Sequence, residues 1–459
     1  MSKFKGKKIL IAGLGKSGVS AAKYLSNQGA KLTISDVKSK MDLASELRSL
    51  GDLKAEFEFG KHNPKTFSSQ DLIILSPGVP SDSEAVNEAR AAGVPIVNDI
   101  ELVSQLVKAP IIAITGSNGK TTTTCLISEM LKNSGKKVHT GGNIGTPAFD
   151  LLANPETPDW YVFEVSSFQL ESIDKFKPTI AVVTNLEPNH LDRYPTGLDS
   201  YYNAKKNILK NADKTTVLVN NFDNEASKAF LLAGFLGKNL SFTKKNPIKT
   251  DPAGSEKFLG AYLNGPRMVL KINSADEVYE LLGCKLVGEH NRENLMASAL
   301  AARQAGATKE GIQKTIETFK GVSHRLEHVR KKDGVTFYND SKATSVGALK
   351  RALESVSGPV ILISGGRDKD QDFSPVTDLV KRKVKNLILI GEAKEKINRS
   401  IGDYSETFLV GTFEEAVLLA YQKSRNGDVI LLSPACASYD MFKSYEERGD
   451  YFKKLVTQL

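Results

Sequence analysis

The stretch Pro110-Ile-Ile-Ala-Ile-Thr115-Gly-Ser-Asn-Gly119-Lys120-Thr121-Thr-Thr-Thr124 decides the fold. Its first residues form a short apolar run that is typical of a buried strand, and the residues after Lys120 enter a segment of helical length. Between them lies a glycine-rich loop of the kind whose backbone N–H groups wrap phosphate oxygens. Ile114 stands where the common loop has its first glycine. The stretch therefore predicts a strand, a phosphate-binding loop and a helix, in that order.

Similar apolar runs alternate with amphipathic stretches of helical length along most of the chain. Most runs are rich in Ile and Val and are apolar at both odd and even positions, as in strands covered on both faces of a parallel sheet. The pattern predicts an α/β fold. The runs are Lys8–Ala12, Leu32–Ser35, Leu72–Leu75, Ile111–Thr115, Tyr161–Val165, Ile180–Thr184, Val217–Val219, Val360–Ile363, Leu387–Ile390 and Val429–Leu432.

Chain length and two breaks in the pattern predict three domains. The chain has 459 residues, and domains average roughly 150 residues. A new strand opens at Ala109-Pro110, and a second break at Phe319-Lys320-Gly321 precedes a predicted β-hairpin. That hairpin comprises Arg325–Val329, a turn at Asp333-Gly334, and Val335–Tyr338. The predicted domains are 1–108, 109–321 and 322–459.

Composition and charge favour an ordinary globular protein that is not specialised for nucleic acid or membranes. The net charge is +9 and the basic residues are scattered, without the interleaved aromatics of a nucleic-acid surface. Apolar runs are shorter than the ~18 residues of a spanning helix, and the N-terminus is interpreted as a first strand, not a signal peptide. Cys125, Cys284 and Cys436 are far apart, which favours reduced thiols and a cytoplasmic location.

A first glycine cluster, Gly13-Leu-Gly15-Lys16-Ser17-Gly18, follows the first predicted strand and opens a helix, and Asp36 ends the next strand. This GxGxxG pattern places a phosphate at a helix N-terminus without saying whose phosphate it is. NAD or NADP, another nucleotide diphosphate, and a turn needed only for packing all remain open on these residues.

The phosphate loop and two residues near later strand ends predict an ATP and metal site. Lys120 is expected to reach the β- and γ-phosphates, and the Thr121 hydroxyl to bind Mg²⁺. Glu164 ends one strand, and His190 follows another in Asn185-Leu-Glu-Pro-Asn-His190. Because the carboxyl ends of parallel strands meet at one edge of a sheet, both residues are expected behind the loop. A histidine alone in such a place would more often be structural, and Mg²⁺ prefers oxygen ligands.

Polar groups in the last part of the chain predict a site for carboxylates and phosphates. Asn291 and Asn294 share one face of a predicted helix, although helix capping would explain one of them. The groups after the hairpin follow strands. They are His324-Arg325, Asn339-Asp340-Ser-Lys342-Ala-Thr344, Gly365-Gly-Arg-Asp-Lys369 and Ser433-Pro-Ala-Cys-Ala-Ser438.

Taken together, these motifs resemble the Mur ligase family over essentially the whole chain. The resemblance rests on TGSNGKTTT, Glu164-Val-Ser-Ser, Asn185 to His190, the HNxxN segment, His324-Arg325, NDSKAT and the tail from Leu432 to Gly449. The tail and the compact first domain look like the branch of the family that adds D-glutamate. The resemblance implies Rossmann-like first and third domains around a central phosphate-loop ATPase-like domain.

The resemblance implies that the protein is an ATP- and Mg²⁺-dependent amide ligase that makes a peptidoglycan precursor. It would add D-glutamate to UDP-N-acetylmuramoyl-L-alanine through an acyl phosphate, as a cytoplasmic monomer acting on small molecules, without nucleic acid or membrane partners. Lys120 would hold the γ-phosphate, Thr121 and Glu164 one Mg²⁺, and His190 with a carbamylated Lys205 a second. The implied ATP contacts are Gly116, Ser117, Asn118, Gly119, Lys120, Thr121, Thr122, Asn291, Asn294, Arg325, Asp340 and Lys342.

The same resemblance implies contacts to the other two substrates. Asn143 and His190 would lie near the muramoyl-alanine end, so that Lys120, His190, Lys205 and Asn143 form the implied catalytic set. The implied UDP-substrate contacts are Gly13, Gly15, Lys16, Ser17, Asp36, Ser76, Pro77, Gly78 and Asn143, and those to D-glutamate are Thr344, Lys369, Ser438 and Tyr445.

The chain departs from the familiar pattern at two places. Val37 and Lys38 follow Asp36 where Thr and Arg are familiar, which bears on the uracil end, and Tyr445 stands where a Phe is familiar. The alternatives are a nicotinamide dehydrogenase, a nucleic-acid ATPase, another amino-acid-adding Mur ligase and a folylpolyglutamate synthetase. The first leaves the GKT loop unexplained, and the second leaves the first glycine cluster idle.

Overall fold

A computed structural model describes residues 2–188, 194, 197–247, 258–272, 275–286, 288–368 and 370–459. The strands are β1 (Lys8–Ala12), β2 (Lys31–Asp36), β3 (Ala55–Phe59), β4 (Leu72–Leu75), β5 (Ile96–Val97), β6 (Ile111–Thr115), β7 (Val138–Gly142), β8 (Trp160–Glu164), β9 (Ile180–Val183), β10 (Val217–Asn221), β11 (Lys238–Thr243), β12 (Gly260–Asn264), β13 (Arg267–Lys271), β14 (Glu277–Glu280), β15 (Glu327–Lys332), β16 (Val335–Asn339), β17 (Val360–Gly365), β18 (Val384–Ile390), β19 (Glu406–Leu409) and β20 (Val429–Leu432).

Most of the α-helices within the described ranges connect these strands. They are α1 (Lys16–Asn27), α2 (Ala44–Leu50), α3 (Pro64–Ser68), α4 (Glu84–Ala91), α5 (Asp99–Ser104), α6 (Lys120–Asn133), α7 (Ser167–Glu171), α8 (Leu198–Lys206), α9 (Glu225–Leu231), α10 (Glu289–Gln304), α11 (Lys309–Thr318), α12 (Val346–Ser355), α13 (Thr377–Lys383), α14 (Lys394–Ile401), α15 (Phe413–Lys423) and α16 (Tyr445–Gln458).

The strands form three sheets, and within each sheet the strand order places several of the predicted loops at one edge. The first is β3-β2-β1-β4-β5 and is parallel throughout. The second is β14-β13-β12-β11-β10-β9-β6-β8-β7, antiparallel only across β12, β13 and β14. The third is β15-β16-β20-β17-β18-β19. Chain order reverses beside β1 and beside β6, the points where open α/β sheets bind ligands.

The predicted α/β class is confirmed, and each of the ten predicted apolar runs overlaps a strand. The predicted hairpin is also present as the antiparallel pair β15–β16. Its first strand, however, begins at Glu327 and not at Arg325. The backbone φ angles of His324 and Leu326 are +62° and +42°, and such left-handed residues cannot continue an extended strand.

The chain packs into two compact units. One comprises residues 1–282 and 293–315, and the other 283–292 and 316–459. The domain boundaries after residues 108 and 321 stay predictions. In the part of the chain that the structure describes, no helix combines the length and apolarity needed to cross a bilayer.

Candidate active site

The phosphate loop lies where β6 ends and α6 begins, and the neighbouring loop after β9 holds it in place. The backbone N–H of Ser117 donates to the carbonyl of Asn185 at 2.9 Å, and the N–H of Asn118 donates to the Asn185 side-chain oxygen at 2.9 Å. The Lys120 ammonium donates to the carbonyls of Gly116 and Ser117 at 2.9 and 3.1 Å. The predicted strand, loop and helix are thus confirmed, with the lysine side chain curled over its own loop.

Two loop positions admit only glycine. Gly116 has φ +142°, and a Cβ there would lie 2.0 Å from Oγ1 of Thr184. Gly119 has φ +82°, and its Cβ would lie 2.2 Å from the side-chain oxygen of Asn294. Both distances are shorter than any that a real Cβ atom shows. The side chains of Thr184 and Asn294 therefore pack directly against the backbone of the loop. The structure thereby places Asn294 beside the phosphate loop, as a nucleotide contact requires.

A buried carboxylate follows the strand beside β6. Glu164 pairs in register with Ile114, is 1% exposed, and has both carboxylate oxygens buried without a hydrogen-bond partner among the described residues. A buried ionised carboxylate is costly unless a cation or donors compensate it. The site therefore fits a divalent cation, with Thr121 at the first turn of α6 as a second oxygen ligand. No group of three or more His, Cys, Asp or Glu suited to a metal occurs among the described residues.

Lys205 lies in the same neighbourhood and is nearly inaccessible to water. Its side chain belongs to α8, is 2% exposed and lies 4.7 Å from the centre of the Tyr201 ring. Burial and the positive charge of Lys120 lower the pKa of Lys205 to about 6, against the opposing effect of Glu164. A lysine that is largely neutral at pH 7 is available for chemistry at its amine. His190, the other predicted ligand, lies outside the described residues.

Asn143 lies in the loop after β7, at the same edge of the second sheet. Its backbone N–H donates to the carbonyl of Glu164 at 2.8 Å, and its side chain is exposed. This bond fixes the loop relative to the carboxylate. An exposed amide beside the phosphate loop fits the predicted role toward the muramoyl-alanine end, which stays a prediction.

The first glycine loop is built around Asp36. One carboxylate oxygen accepts from the N–H of Leu14 at 2.7 Å and the other from the N–H of Lys38 at 2.9 Å. The Ser76 hydroxyl donates to the carbonyl of Gly13 at 2.8 Å, which joins the loops after β1 and β4. Gly15 and Lys16, at the start of α1, are exposed. Asp36 therefore supports the loop directly, a task that the sequence pattern had not shown.

Other predicted substrate contacts lie close to this loop. Ser17, in the first turn of α1, lies near the buried Asp99, and burial raises the pKa of that carboxyl. Asp99 also accepts from the side-chain amide of Gln169 at 2.8 Å. Pro77 and Gly78 continue the loop after Ser76 at the same edge. The sequence reasoning missed Asp99 and Gln169, since neither belongs to a glycine or phosphate motif.

In the second unit, Asp340 follows β16 and is buried. It accepts from the N–H of Leu326 at 3.1 Å and from the Ser433 hydroxyl at 3.0 Å. Burial raises the pKa of Asp340 to about 7, although Arg325 and Arg351 favour the charged form. Lys342 lies 5.4 Å from the centre of the Tyr445 ring. Three predicted residues, Asp340, Lys342 and Tyr445, thus lie at the carboxyl edge of this sheet. The Nε atom of Arg325 at this edge is buried without a partner among the described residues.

The helix that carries the HNxxN segment begins as predicted, with Asn291 in the first turn of α10 and buried. His290 lies beside Ser355, its ring nitrogen 3.5 Å from the hydroxyl oxygen. Burial, together with Arg351 and Arg325, lowers the pKa of His290 to about 4. This histidine is therefore neutral at physiological pH.

The predicted D-glutamate contacts lie in loops after β16 and β20. Ser438 is buried and its carbonyl accepts from the N–H of Phe442 at 2.8 Å, whereas Thr344 is half-buried. Tyr445 begins α16, and burial with the neighbouring Glu446 raises its phenol pKa to about 12. Lys369 lies outside the described residues.

Arg448 holds two of these loops together, and the sequence reasoning gave it no role. It is 1% exposed, and its guanidinium donates to the hydroxyl and carbonyl of Ser341 at 3.0 and 2.8 Å. It also donates to the carbonyl of Cys436 at 3.1 Å. A signal was present, because Arg448 has the same four-residue spacing as the buried Phe452 and Val456. A charged residue on an apolar helix face is rarely buried unless acceptors pair with it.

Comparison with known proteins gives three consecutive family matches. They are the Mur ligase MurD-like N-terminal domain at residues 7–98, the Mur ligase middle domain at 114–302, and the Mur ligase glutamate ligase domain at 324–436. A Bdellovibrio bacteriovorus protein named UDP-N-acetylmuramoylalanine–D-glutamate ligase is 48% identical over 99% of this chain and 98% of its own. A Koribacter versatilis protein of the same name is 43% identical over the same shares.

Solved structures show the same fold. A pseudomurein peptide ligase type C from Methanothermus fervidus matches with a TM-score of 0.57 at 21% identity, over 99% of this chain and 100% of that one. A UDP-N-acetylmuramoylalanyl-D-glutamyl-2,6-diaminopimelate–D-alanyl-D-alanyl ligase from Acinetobacter baumannii matches with a TM-score of 0.59 at 15% identity, over 98% and 93%. At these identities the likeness concerns architecture alone.

Proposed function

This chain belongs to the Mur ligase family, and on that premise we propose that it joins D-glutamate to UDP-N-acetylmuramoyl-L-alanine at the expense of ATP. The observation that carries the proposal is end-to-end similarity, at 48% identity, to a protein named for that reaction. The intact phosphate loop and the buried Glu164 behind it support the ATP-dependent step. The product is a peptidoglycan precursor, made by a cytoplasmic monomer.

The reaction proceeds in two displacements. An oxygen of the L-alanyl carboxylate attacks the γ-phosphorus of ATP, ADP leaves, and an acyl phosphate forms. The amine of D-glutamate then attacks the acyl carbon, and the tetrahedral intermediate loses a proton and expels phosphate to give the amide. Holding the reactants in line can supply roughly 7–11 kcal/mol of barrier reduction, so the chain's main tasks are positioning and charge stabilisation.

Lys120 and the loop N–H groups serve the transferring phosphoryl group. The ammonium moves from the carbonyls of Gly116 and Ser117 to the phosphate oxygens, where its charge offsets the charge that develops. Glu164 and Thr121 would hold Mg²⁺, as the two unpartnered carboxylate oxygens suggest. Mg²⁺, when bound, screens the phosphate charge that would repel the attacking carboxylate. Lys205 and His190 are proposed for a second ion.

The two organic substrates occupy different sheet edges. The loop from Gly13 to Gly18 offers the N-terminus of α1 to the UDP pyrophosphate, with Ser76 alongside. Asn143 extends from the second sheet toward the muramoyl-alanine end. Thr344, Lys369, Ser438 and Tyr445 are proposed for D-glutamate, in loops that Arg448 helps to fix.

The test is phosphate release from ATP in the presence of UDP-N-acetylmuramoyl-L-alanine and one amino acid at a time. Turnover with D-glutamate alone is the expected result. Turnover with a different amino acid would favour another amino-acid-adding Mur ligase, and turnover with a folate and L-glutamate would favour a folylpolyglutamate synthetase. Tight NADH binding without UDP-sugar binding would instead favour the dehydrogenase alternative for the first glycine loop.

A further inference from the structure

A cavity of about 290 Å³ opens in the second unit, away from the edge that carries Asp340 and Lys342. Thr336 lies near the amino end of β16, and Val429 is the first residue of β20. Ser355 ends α12, which starts near the opposite edge, just after Thr344. The cavity therefore lies toward the amino ends of these strands, whereas the proposed nucleotide and D-glutamate residues follow their carboxyl ends.

Among the described residues, the cavity lining includes a cation and hydroxyl groups but no carboxylate. Arg292, from the first turns of α10, is the one charged residue among these lining residues. The Nη1 atom of Arg292 is buried and has no hydrogen-bond partner within the described ranges. Ser355, Ser357 and Tyr338 add hydroxyls to the lining. A buried guanidinium nitrogen without an acceptor is costly, and an anion would offset that cost.

The charge around the cavity reinforces this preference. The ring nitrogen of His290 lies 3.5 Å from the hydroxyl of Ser355 in the lining, and the pKa of His290 is lowered by burial first and then by the positive charges of Arg351 and Arg325. The planar guanidinium group matches the oxygens of carboxylates and phosphates in a two-pronged geometry. Leu286, Val356 and Val429 supply an apolar wall, which a bare inorganic ion would leave uncovered. The cavity volume of about 290 Å³ is also larger than such an ion needs.

We propose that this cavity binds a small organic oxyanion, a carboxylate or a phosphate monoester on a compact apolar body. Arg292 binds the oxyanion, the hydroxyls of Ser357 and Tyr338 donate to it, and the apolar wall covers the body of the ligand, whereas the Ser355 hydroxyl donates to the carbonyl of Arg351 at 2.6 Å. The ligand would hold residues 283–286 and 288–292 against the sheet of the second unit. This site is separate from the proposed catalytic residues and does not depend on the proposed function.

Cys284 provides a direct reporter, because it lines the cavity and is partly exposed. The experiment follows alkylation of each cysteine of the full chain by iodoacetamide, resolved by peptide mass spectrometry. Phenyl phosphate and phenylacetate are the probes, and benzyl alcohol is the neutral comparison. At a probe concentration about ten times Kd, the rate at Cys284 is expected to fall about elevenfold, following 1 + [L]/Kd. Cys125, in the helix after the phosphate loop, reports that other site separately.

Four variants decide the outcome. Arg292→Gln is expected to abolish the protection of Cys284, and Arg292→Lys to weaken it. Arg382→Gln removes the same charge from the exposed surface of α13 and is expected to leave protection unchanged. Lys120→Ala is also expected to leave it unchanged, which separates this site from the proposed ligase chemistry.

The proposal is overturned if neither anionic probe protects Cys284, or if benzyl alcohol protects it equally. It is also overturned if Arg292→Gln retains full protection or if Lys120→Ala removes it. Protection by one anion alone identifies whether carboxylate or phosphate is the recognised group. Thermal unfolding checks that Arg292→Gln is folded. If it is not, protection of Cys284 is compared between Arg292→Lys and Arg382→Gln, and equal protection in these two variants overturns the proposal.

Discussion

Replacing Lys205 by arginine is the sharpest test of the proposed metal site. With a pKa of about 6, the Lys205 amine is neutral in about 97% of molecules at pH 7.5. An ordinary lysine, with a pKa near 10.4, would be neutral in about one molecule in a thousand. Only the neutral amine can combine with CO₂ to give a carbamate and a proton. The buried position therefore favours the anionic oxygen ligand that the proposed second Mg²⁺ requires.

Arginine keeps the positive charge and most of the length of lysine, but its guanidinium is not deprotonated in proteins. We therefore expect Lys205→Arg to be as damaging as Lys205→Ala, each lowering kcat by about 10²–10³-fold, the cost of losing one preorganised charge contact. Lys206, the next residue in α8, is more exposed, and Lys206→Arg is the matched control with nearly normal kcat.

The assay is steady-state phosphate release by the three variants, supported by intact mass for one added CO₂ per chain. The pH dependence gives a second check. Because the folded pKa of this base is lowered, the amine becomes available for carbamate formation as pH rises through about 6. If Lys205→Arg keeps more than about a tenth of the wild-type kcat, a deficit below ~1.4 kcal/mol, the carbamate idea fails.

Three further predictions address the other sites. Lys120→Ala is expected to lower kcat/KM by about 3–4 kcal/mol of transition-state stabilisation while thermal unfolding stays normal; near-normal kcat/KM would contradict the ATP assignment. Gly15→Asp should weaken UDP-substrate binding in a titration and Gly15→Asn much less, because a Cβ at Gly15 meets no atom within 4 Å and the two variants differ mainly in charge. Equal weakening would point to shape instead. For Asp340→Asn we compare the free energy of unfolding with that of the wild type by urea unfolding at pH 5 and at pH 8. The difference is expected to change by roughly 2–3 kcal/mol in favour of the variant as the pH rises from 5 to 8. The raised pKa means that the folded wild type binds the extra proton and loses stability as pH rises from the ordinary carboxyl range through about 7; a flat difference would refute it.

Buried parallel strands were the most predictable part of the fold. Runs such as Leu72–Leu75 and Val429–Leu432 coincide with β4 and β20 residue for residue, because both faces of these strands are covered. Several strands with exposed positions were not predicted. β3 (Ala55–Phe59) carries two exposed residues in five, and β14 (Glu277–Glu280) lies at a sheet edge with Val278 and Glu280 exposed. An edge strand has no continuous apolar signal to distinguish it from a loop.

The candidate site was predictable where a local motif encodes it. The phosphate loop needs Gly116 and Gly119 for close backbone approaches, so the requirement is written in adjacent residues. Asp99 and Gln169 are 70 positions apart, and their pairing depends on how the first and second sheets pack within one unit. Such long-range contacts leave no spacing rule in the sequence, so the structure was needed to find them.

The position of Arg448 late in the chain has a consequence for the order of assembly. Its guanidinium bonds to Ser341 across 107 residues, whereas its bonds to residues 436 and 437 span 12 and 11. During synthesis the chain emerges from its amino end, so the loop around Ser341 is complete long before its donor exists. Until α16 docks, the hydroxyl and carbonyl of Ser341 can bond only to water or to transient partners. Proteolytic loss of this last helix from the finished protein would return the loop to that immature state, with the β6 phosphate loop left covalently intact.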